Sequence, residues 1–241
     1  MRIALISDMH GNLIALDVAL ADIRAVGIDQ LVCLGDVAAG GPQAPAVVAR
    51  LRELAIPCVR GNADDEMLGL RRFEVTSDDT RRIAAQIEWS QQQLAPADLD
   101  FIRAFQPTIS VPLENGQSLL CFHGSPRANT EIIVAATPND ELAPMFADVQ
   151  ARVCAGGHTH TQMLRRYQNK FIINPGSVGL GHEYRGTTAR NVPWAEYALI
   201  QCEGERIGIE FRRAPFDVES LKRVALVSGM PHAEWWAEGW G

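Results

Sequence analysis

Short apolar runs that stop abruptly at polar residues mark the first quarter of the chain. Residues 3–6 are apolar and partly β-branched, and Ser7 and Asp8 end them. Over 13–26 the period changes: apolar side chains recur near Leu16, Ala19, Leu20 and Ile23, the spacing of one helix face, and Gly27 closes the pattern. Residues 30–34 form the next apolar run, ended by Gly35 and Asp36. A second helix is expected over 44–54, with Pro45 suited to its first turn. The third run, 56–59, is ended by Arg60, Gly61 and Asn62. This strand–helix alternation predicts three parallel strands.

Between 64 and 106 the pattern turns polar and charged, with helical spacing clearest over 88–94 and 97–105. Its apolar residues are too few for an independent core. A helical excursion beside the sheet is expected, a candidate for a mobile lid or a dimer surface. Strands return at 108–113 and 118–122, joined at Asn115 and Gly116, a hairpin signal. Beyond them the pattern predicts a helix over 139–149, a short strand over 152–154 and a helix over 217–227. Hairpins are predicted from 162–167 with 170–173 and from 196–202 with 206–212. In the tail from 230, Trp235, Trp236 and Trp240 should pack on the body or on a partner chain, because exposed indoles keep apolar area in water. No repeat or low-complexity segment is visible, and a single domain over 1–241 is expected.

Composition narrows the field. With 241 residues, 47% of them hydrophobic, the chain can bury a substantial core. The formal charge of -7 argues against binding long nucleic acid, which needs a basic footprint. It permits a small phosphorylated substrate where bound cations reverse the local field. The five cysteines (Cys33, Cys58, Cys121, Cys154 and Cys202) form no CxxC pair, and four lie in or beside apolar runs. They are expected to be buried small hydrophobes in a reducing compartment. No secretory leader is recognisable behind Arg2, and no apolar run reaches membrane-spanning length. Cytoplasmic localisation without membrane attachment is the expectation, and a homodimer is the favoured assembly.

The polar residues that end the runs share one chemistry. The first run leads to Asp8 and His10, the second to Asp36, the third to Asn62, the strand at 118–122 to His123, and the strand at 152–154 to His158 and His160. In open α/β sheets ligands bind at the carboxyl ends of the strands, so these side chains can converge. Taken singly, Asp8, Asp36 and Asn62 are ordinary turn formers, and His10 and His123 ordinary capping or partly buried histidines. As an ordered set they amount to four imidazoles, two carboxylates and an amide, and use four of the six histidines in the chain. Gly35, Gly61, Gly124, Gly156 and Gly157 remove bulk beside them. Asn12 is placed to cap the first helix. Mixed nitrogen and oxygen donors suit Mn²⁺, Fe²⁺, Co²⁺, Ni²⁺ or Zn²⁺. Seven donors exceed one tetrahedral zinc and fit two divalent ions sharing a carboxylate, the usual clamp for phosphoryl displacement.

These blocks give the chain a resemblance. "DMHGN" from Asp8, "GDVAAGG" from Gly35, "RGNAD" from Arg60, "FHGSP" from Phe122 and "GGHTH" ending at His160 resemble a calcineurin-like metallophosphoesterase. "NPGSVG" from Asn174 is similar to a stretch of its small prokaryotic phosphodiesterase-like branch. The resemblance implies an α/β chain (α+β in some schemes) folded as a four-layer αββα sandwich with two mixed sheets. It assigns Asp8, His10, Asp36 and His160 to one metal, and Asp36, Asn62, His123 and His158 to the other, with Asp36 bridging. Catalytic weight would fall on Asp36, Asn62, His123 and His10, with manganese the favoured metal.

Many family members carry histidine after the asparagine of the third block, taken to protonate the leaving group or steady the phosphate. Here that residue is Ala63, followed by Asp64. Asp64 is expected either to orient His10 or His123 or to make a local cap or salt bridge. Arg127 is expected either to hold a phosphoryl oxygen or to make a surface ion pair. Ser125 and Ser177 read as structural, His182 is a weaker candidate for facing substrate, and His232 weaker still. The implied function is phosphoester hydrolysis, foremost that of a phosphodiesterase using a metal-bridging hydroxide. Phosphatase activity and a protein-binding scaffold are the alternatives.

Overall fold

Strands β1 (Arg2–Ile6) and β2 (Gln30–Cys33) run parallel, with α1 (Leu13–Val26) crossing between them and Ile6 in register with Cys33. The computed structural model describes residues 1–185 and 188–240. Asn12 caps α1, its side-chain oxygen accepting from the Ala15 amide at 3.0 Å. α2 (Ala44–Leu54) follows, with proline in its first turn. The third run forms no full strand. It pairs only through isolated parallel bridges, Cys33 with Cys58 and Val59 with Gln106. Pro57, which has no amide proton to donate, shortens what can be laddered there.

The polar stretch is helical over more of its length than its pattern suggests: α3 (Asn62–Met67), α4 (Asp78–Gln93) and α5 (Pro96–Arg103). Leu94, Ile102 and Phe105 are buried in the core, with Ile87, Trp89 and Phe101 packed against it. The excursion is thus anchored to the body along its apolar side. β3 (Ile109–Pro112) and β4 (Ser118–Cys121) make the expected antiparallel hairpin, across a 3₁₀ turn at Glu114–Gly116.

α6 (Asn139–Met145) stops short of 149, with Pro144 inside its last turn. β5 (Val153–Ala155), β6 (Met163–Tyr167) and β7 (Lys170–Asn174) follow. Next comes a hairpin the pattern did not announce, β8 (His182–Arg185) with β9 (Thr188–Asn191). β10 (Trp194–Glu203), β11 (Arg206–Pro215), α7 (Val218–Val227) and α8 (Ala233–Glu238) complete the described elements.

One sheet has the order β11-β10-β1-β2 and the other β3-β4-β5-β7-β6, and both mix parallel with antiparallel pairs. The alternation along β1 shows how they stack. Ile3 and Leu5 enter a cluster with Leu119, Val153 and Ile173 of the second sheet. Ala4 and Ile6 face the other way, into a cluster with Leu16, Ile23, Val47 and Leu51 of the covering helices. On the far side of the second sheet, Cys154 and Ile172 pack under Leu142 and Phe146. The result is the four-layer αββα sandwich.

All five cysteines are buried and unpaired. Trp240 of the tail is buried against the body, its ring 5.6 Å from Phe216 and 5.4 Å from Trp236. Among the described residues no helix is long and apolar enough to cross a membrane.

Candidate metal centre

The donors meet at one edge of the two sheets, each just beyond the carboxyl end of a strand or at the start of a helix. Asp8 and His10 follow β1, Asp36 follows β2, Asn62 opens α3, His123 follows β4, and His158 and His160 follow β5. Two clusters form. Asp8, His10 and His160 make one and Asp36, His123 and His158 the other, with the ligand atoms of each lying within 4.8 Å of one another. Asn62 Oδ1 joins the second, 3.0 Å from His123 Nε2. Asp36 Oδ2 lies 3.2 Å from His123 Nε2 and 3.9 Å from His10 Nε2, so it faces both clusters. Asp8 Oδ1 is 3.2 Å from His160 Nε2 and 4.0 Å from His123 Nε2.

Backbone carbonyls set the imidazoles. Nδ1 of His10 donates to Ala39 O at 2.9 Å, Nδ1 of His123 to Leu34 O at 2.8 Å, and Nδ1 of His160 to Leu180 O at 2.8 Å. A carbonyl only accepts, so each Nδ1 carries a proton, and an imidazole in its neutral form turns the Nε2 lone pair inward. Nε2 of His10 then faces Nε2 of His160 at 3.1 Å, acceptor against acceptor. His123 Nε2 likewise faces the oxygens of Asn62 and Asp36. Asp8 Oδ1 is fully buried and lacks any hydrogen-bond partner. Such a pocket is stable only with positive charge inside it, either protons or cations. The nitrogen and oxygen donors fit a pair of borderline divalent ions.

Titration follows from the same crowding. Burial works against the charge of Asp8, but His160, His123 and His10 outweigh it and hold the carboxyl below the usual range. Asp36 is lowered in the same way, by His123 against burial. Burial disfavours a charged His123, yet Asp36 and Asp8 raise its pKa to about 10. Burial and the neighbouring His160 lower His10, and burial and His123 lower His158.

Close backbone approach makes the pocket possible. Asp8, His10, Asp36, His158 and His160 all have positive φ, between 44° and 69°. A Cβ on Gly61 would lie 2.7 Å from the Asp36 amide nitrogen, and one on Gly157 would lie 2.6 Å from Asp8 Oδ2. The "NPGSVG" stretch braces this edge. Asn174 donates to Gly157 O and to Thr159 Oγ1, and Ser177 donates to Asp8 O at 2.8 Å.

The remaining candidates lie outside the donor set. Asp64 touches neither His10 nor His123. Its buried carboxylate accepts from the amides of Asp36 (2.9 Å), Val37 (3.0 Å) and Gly61 (2.8 Å), and so caps the turn that carries Asp36. Arg127 pairs with Glu131, Nε to Oε1 at 2.7 Å, which is the ion-pair alternative; Glu131 also accepts from Ser125. His232 sits at the start of α8. His182 lies beside His160, ring centroids 6.0 Å apart. The orienting carbonyls of Leu34, Ala39 and Leu180 carry no signal in a sequence, because every residue has one.

Fold and donor set define a phosphoesterase of the metal-dependent kind, and comparison with known proteins agrees. The profile of the calcineurin-like phosphoesterase superfamily domain matches residues 1–203. The chain is 31% identical to phosphodiesterase YfcE of Escherichia coli K12 over 191 residues, 75% of this chain and 80% of that one. It is 26% identical to the uncharacterized protein MJ0912 of Methanocaldococcus jannaschii over 251 residues, 98% of this chain and 96% of that one. A metallophosphoesterase from Sphaerobacter thermophilus superposes with a TM-score of 0.76 at 25% identity, over 99% of both chains. The hypothetical protein PH1004 of Pyrococcus horikoshii shares the fold, with a TM-score of 0.79 at 15% identity over 96% of this chain and 94% of that one. The chain belongs to the calcineurin-like phosphoesterase superfamily.

Proposed function

We propose that this phosphoesterase is a phosphodiesterase for small phosphorylated substrates. In this reading Asp8, His10, Asp36 and His160 hold one divalent ion, and Asp36, Asn62, His123 and His158 hold a second. The observation that carries it is the pocket of inward lone pairs, with His10 Nε2 and His160 Nε2 only 3.1 Å apart and Asp8 Oδ1 unpartnered. Such ions supply Lewis acidity toward a phosphoryl oxygen and acidify a water. The chain's own residues do the rest. Carbonyls lock the imidazole tautomers, Asp36 ties the two clusters together, and the sheets hold the donors in place before substrate arrives. We favour manganese as the metal, the cytoplasm as the location, a homodimer as the assembly and one domain over the whole chain.

The preference for diesters rests on the likeness to YfcE, while Ala63 bears on which leaving groups can depart. Ala63 is buried and its amide donates to Asp36 Oδ1 at 2.8 Å, while its methyl group has no proton to give a leaving group. Missing general-acid help costs roughly 10²–10⁴-fold when the leaving oxygen needs a proton. Substrates whose leaving group is already a weak base should therefore turn over best. The manganese-loaded protein is expected to hydrolyse bis(p-nitrophenyl) phosphate faster than p-nitrophenyl phosphate. Faster turnover of the monoester would make it a phosphatase instead.

Metal loading should also move protons. His123 must be neutral to donate from Nε2, and its pKa in the metal-free pocket is about 10. Loading at neutral pH then displaces its proton. Affinity for Mn²⁺ should rise with pH, about tenfold per unit while His123 stays protonated. Calorimetry in two buffers of different ionisation enthalpy would detect the released proton. An affinity independent of pH between 6 and about 9 would remove His123 from the ligand set.

A further inference from the structure

The segment that orients His160 goes on to build a wall beside it. Leu180 O accepts from His160 Nδ1, and two residues later His182 opens β8. The His182 ring stands 6.0 Å from that of His160, tilted by 52°. Tyr184 shares the strand face of His182 and meets it edge-on, centroids 5.4 Å apart and planes at 85°. Tyr184 is 71% exposed and His182 half-buried, so the fold leaves the outer ring of the pair uncovered.

The hairpin that displays these rings is clamped. On β9, the Asn191 amide donates to Gly239 O at 2.9 Å and Arg190 to Glu238 O at 2.9 Å, with Trp240 buried just beyond. Below β8, Val192 N donates to Gly181 O at 2.9 Å. Arg213 reaches from β11 to Glu183 at 4.0 Å while bonded to buried Glu196 at 3.1 Å. The tryptophan tail thus serves the site indirectly, by fixing the strand that carries His182 and Tyr184. Neither ring belongs to the donor set or to the core. An open aromatic surface on a clamped strand beside the proposed metal centre has the make-up of a stacking platform.

We propose that His182 and Tyr184 form a shelf that holds a planar aromatic substituent of the phosphoester, either an aryl ring or a nucleobase, stacked on one ring and edge-on to the other, and so sets substrate preference. This rests on the phosphoester reading of the adjoining centre. Hydrolytically inert phosphonates separate the two. Calorimetric binding of methylphosphonate, phenylphosphonate and a nucleoside 5′-phosphonate to the manganese-loaded protein is the test. At least one aromatic ligand should bind about tenfold or more tighter than methylphosphonate, and the tighter of the two identifies the ring. Tyr184→Ala should remove most of that advantage, leave methylphosphonate affinity unchanged and keep full metal content, whereas Tyr184→Phe should retain the advantage. His182→Ala should behave as Tyr184→Ala does. Equal affinity for all three ligands, or a Tyr184→Ala variant indistinguishable from the parent, overturns the shelf alone. A parent protein that binds none of the three overturns the phosphoester reading and the shelf with it.

Discussion

Asp36→Ala should lower phosphodiester turnover by at least about 10³-fold and cut metal content to no more than about one ion per chain. The reason is its place between the clusters. Oδ2 lies 3.2 Å from His123 Nε2 and 3.9 Å from His10 Nε2, and Oδ1 accepts the Ala63 amide at 2.8 Å. Asp8 Oδ1 also lies 3.9 Å from His10 Nε2 and 4.0 Å from His123 Nε2, but among the described residues Asp36 alone combines that position with a bond to the turn of Asn62. Asp36→Asn separates the two parts of this role. An amide of the same shape can still accept from Ala63 but brings no negative charge. It should keep the fold and still lose an ion. Elemental analysis beside kinetics on bis(p-nitrophenyl) phosphate decides the matter, and a variant that keeps its metals and its rate would refute a shared-carboxylate centre.

Asp64→Ala should be the most destabilising single change at this edge, by roughly 3–5 kcal/mol. Three amides converge on this buried carboxylate, those of Asp36, Val37 and Gly61. Each would be left without an acceptor where water has little access, at about 1–3 kcal/mol apiece before relaxation. Burial and the charge of Asp36 raise the Asp64 pKa to about 6, so the group works under electrostatic opposition and keeps its place through those amides. Two of the three amides flank the proposed ligands Asp36 and Asn62, and metal affinity should fall along with stability. Urea denaturation of the metal-free protein isolates the structural share. A midpoint unchanged from the parent would mean that the turn does not depend on Asp64.

Much of this edge can be read from the chain because each donor closes an apolar run. Asp8, Asp36, His123 and the His158–His160 pair stand where alternating or continuous hydrophobicity stops, and that boundary is a property of the sequence. The seven expected donors lie together in space for that reason. What escaped the pattern had no such boundary. α3 is only six residues long and begins at Asn62 itself, too short for a helical period to show. β8 reads His-Glu-Tyr-Arg and β9 Thr-Ala-Arg-Asn, without the apolar alternation that a half-buried strand displays. The strand expected over 56–59 looked ordinary by composition, but Pro57 left only single bridges. The helix expected to 149 ends at Met145 because Pro144 interrupts it. The role of Asp64 could not be chosen in advance, since a carboxylate that holds an imidazole and one that holds three amides look alike in one dimension.

The left-handed backbone at Asp8, His10, Asp36, His158 and His160 has a consequence for how the protein would respond to breeding. Each of these residues sits in a conformation that costs most residues about 1 kcal/mol and that glycine adopts freely. A laboratory lineage rewarded only for surviving heat without metal would gain by putting glycine in place of His10, His158 or His160, whereas Asp36 is kept by its bond to the Ala63 amide. It would emerge hardier and chemically inert, so thermal endurance is a misleading proxy for fitness in this chain unless turnover is selected alongside it.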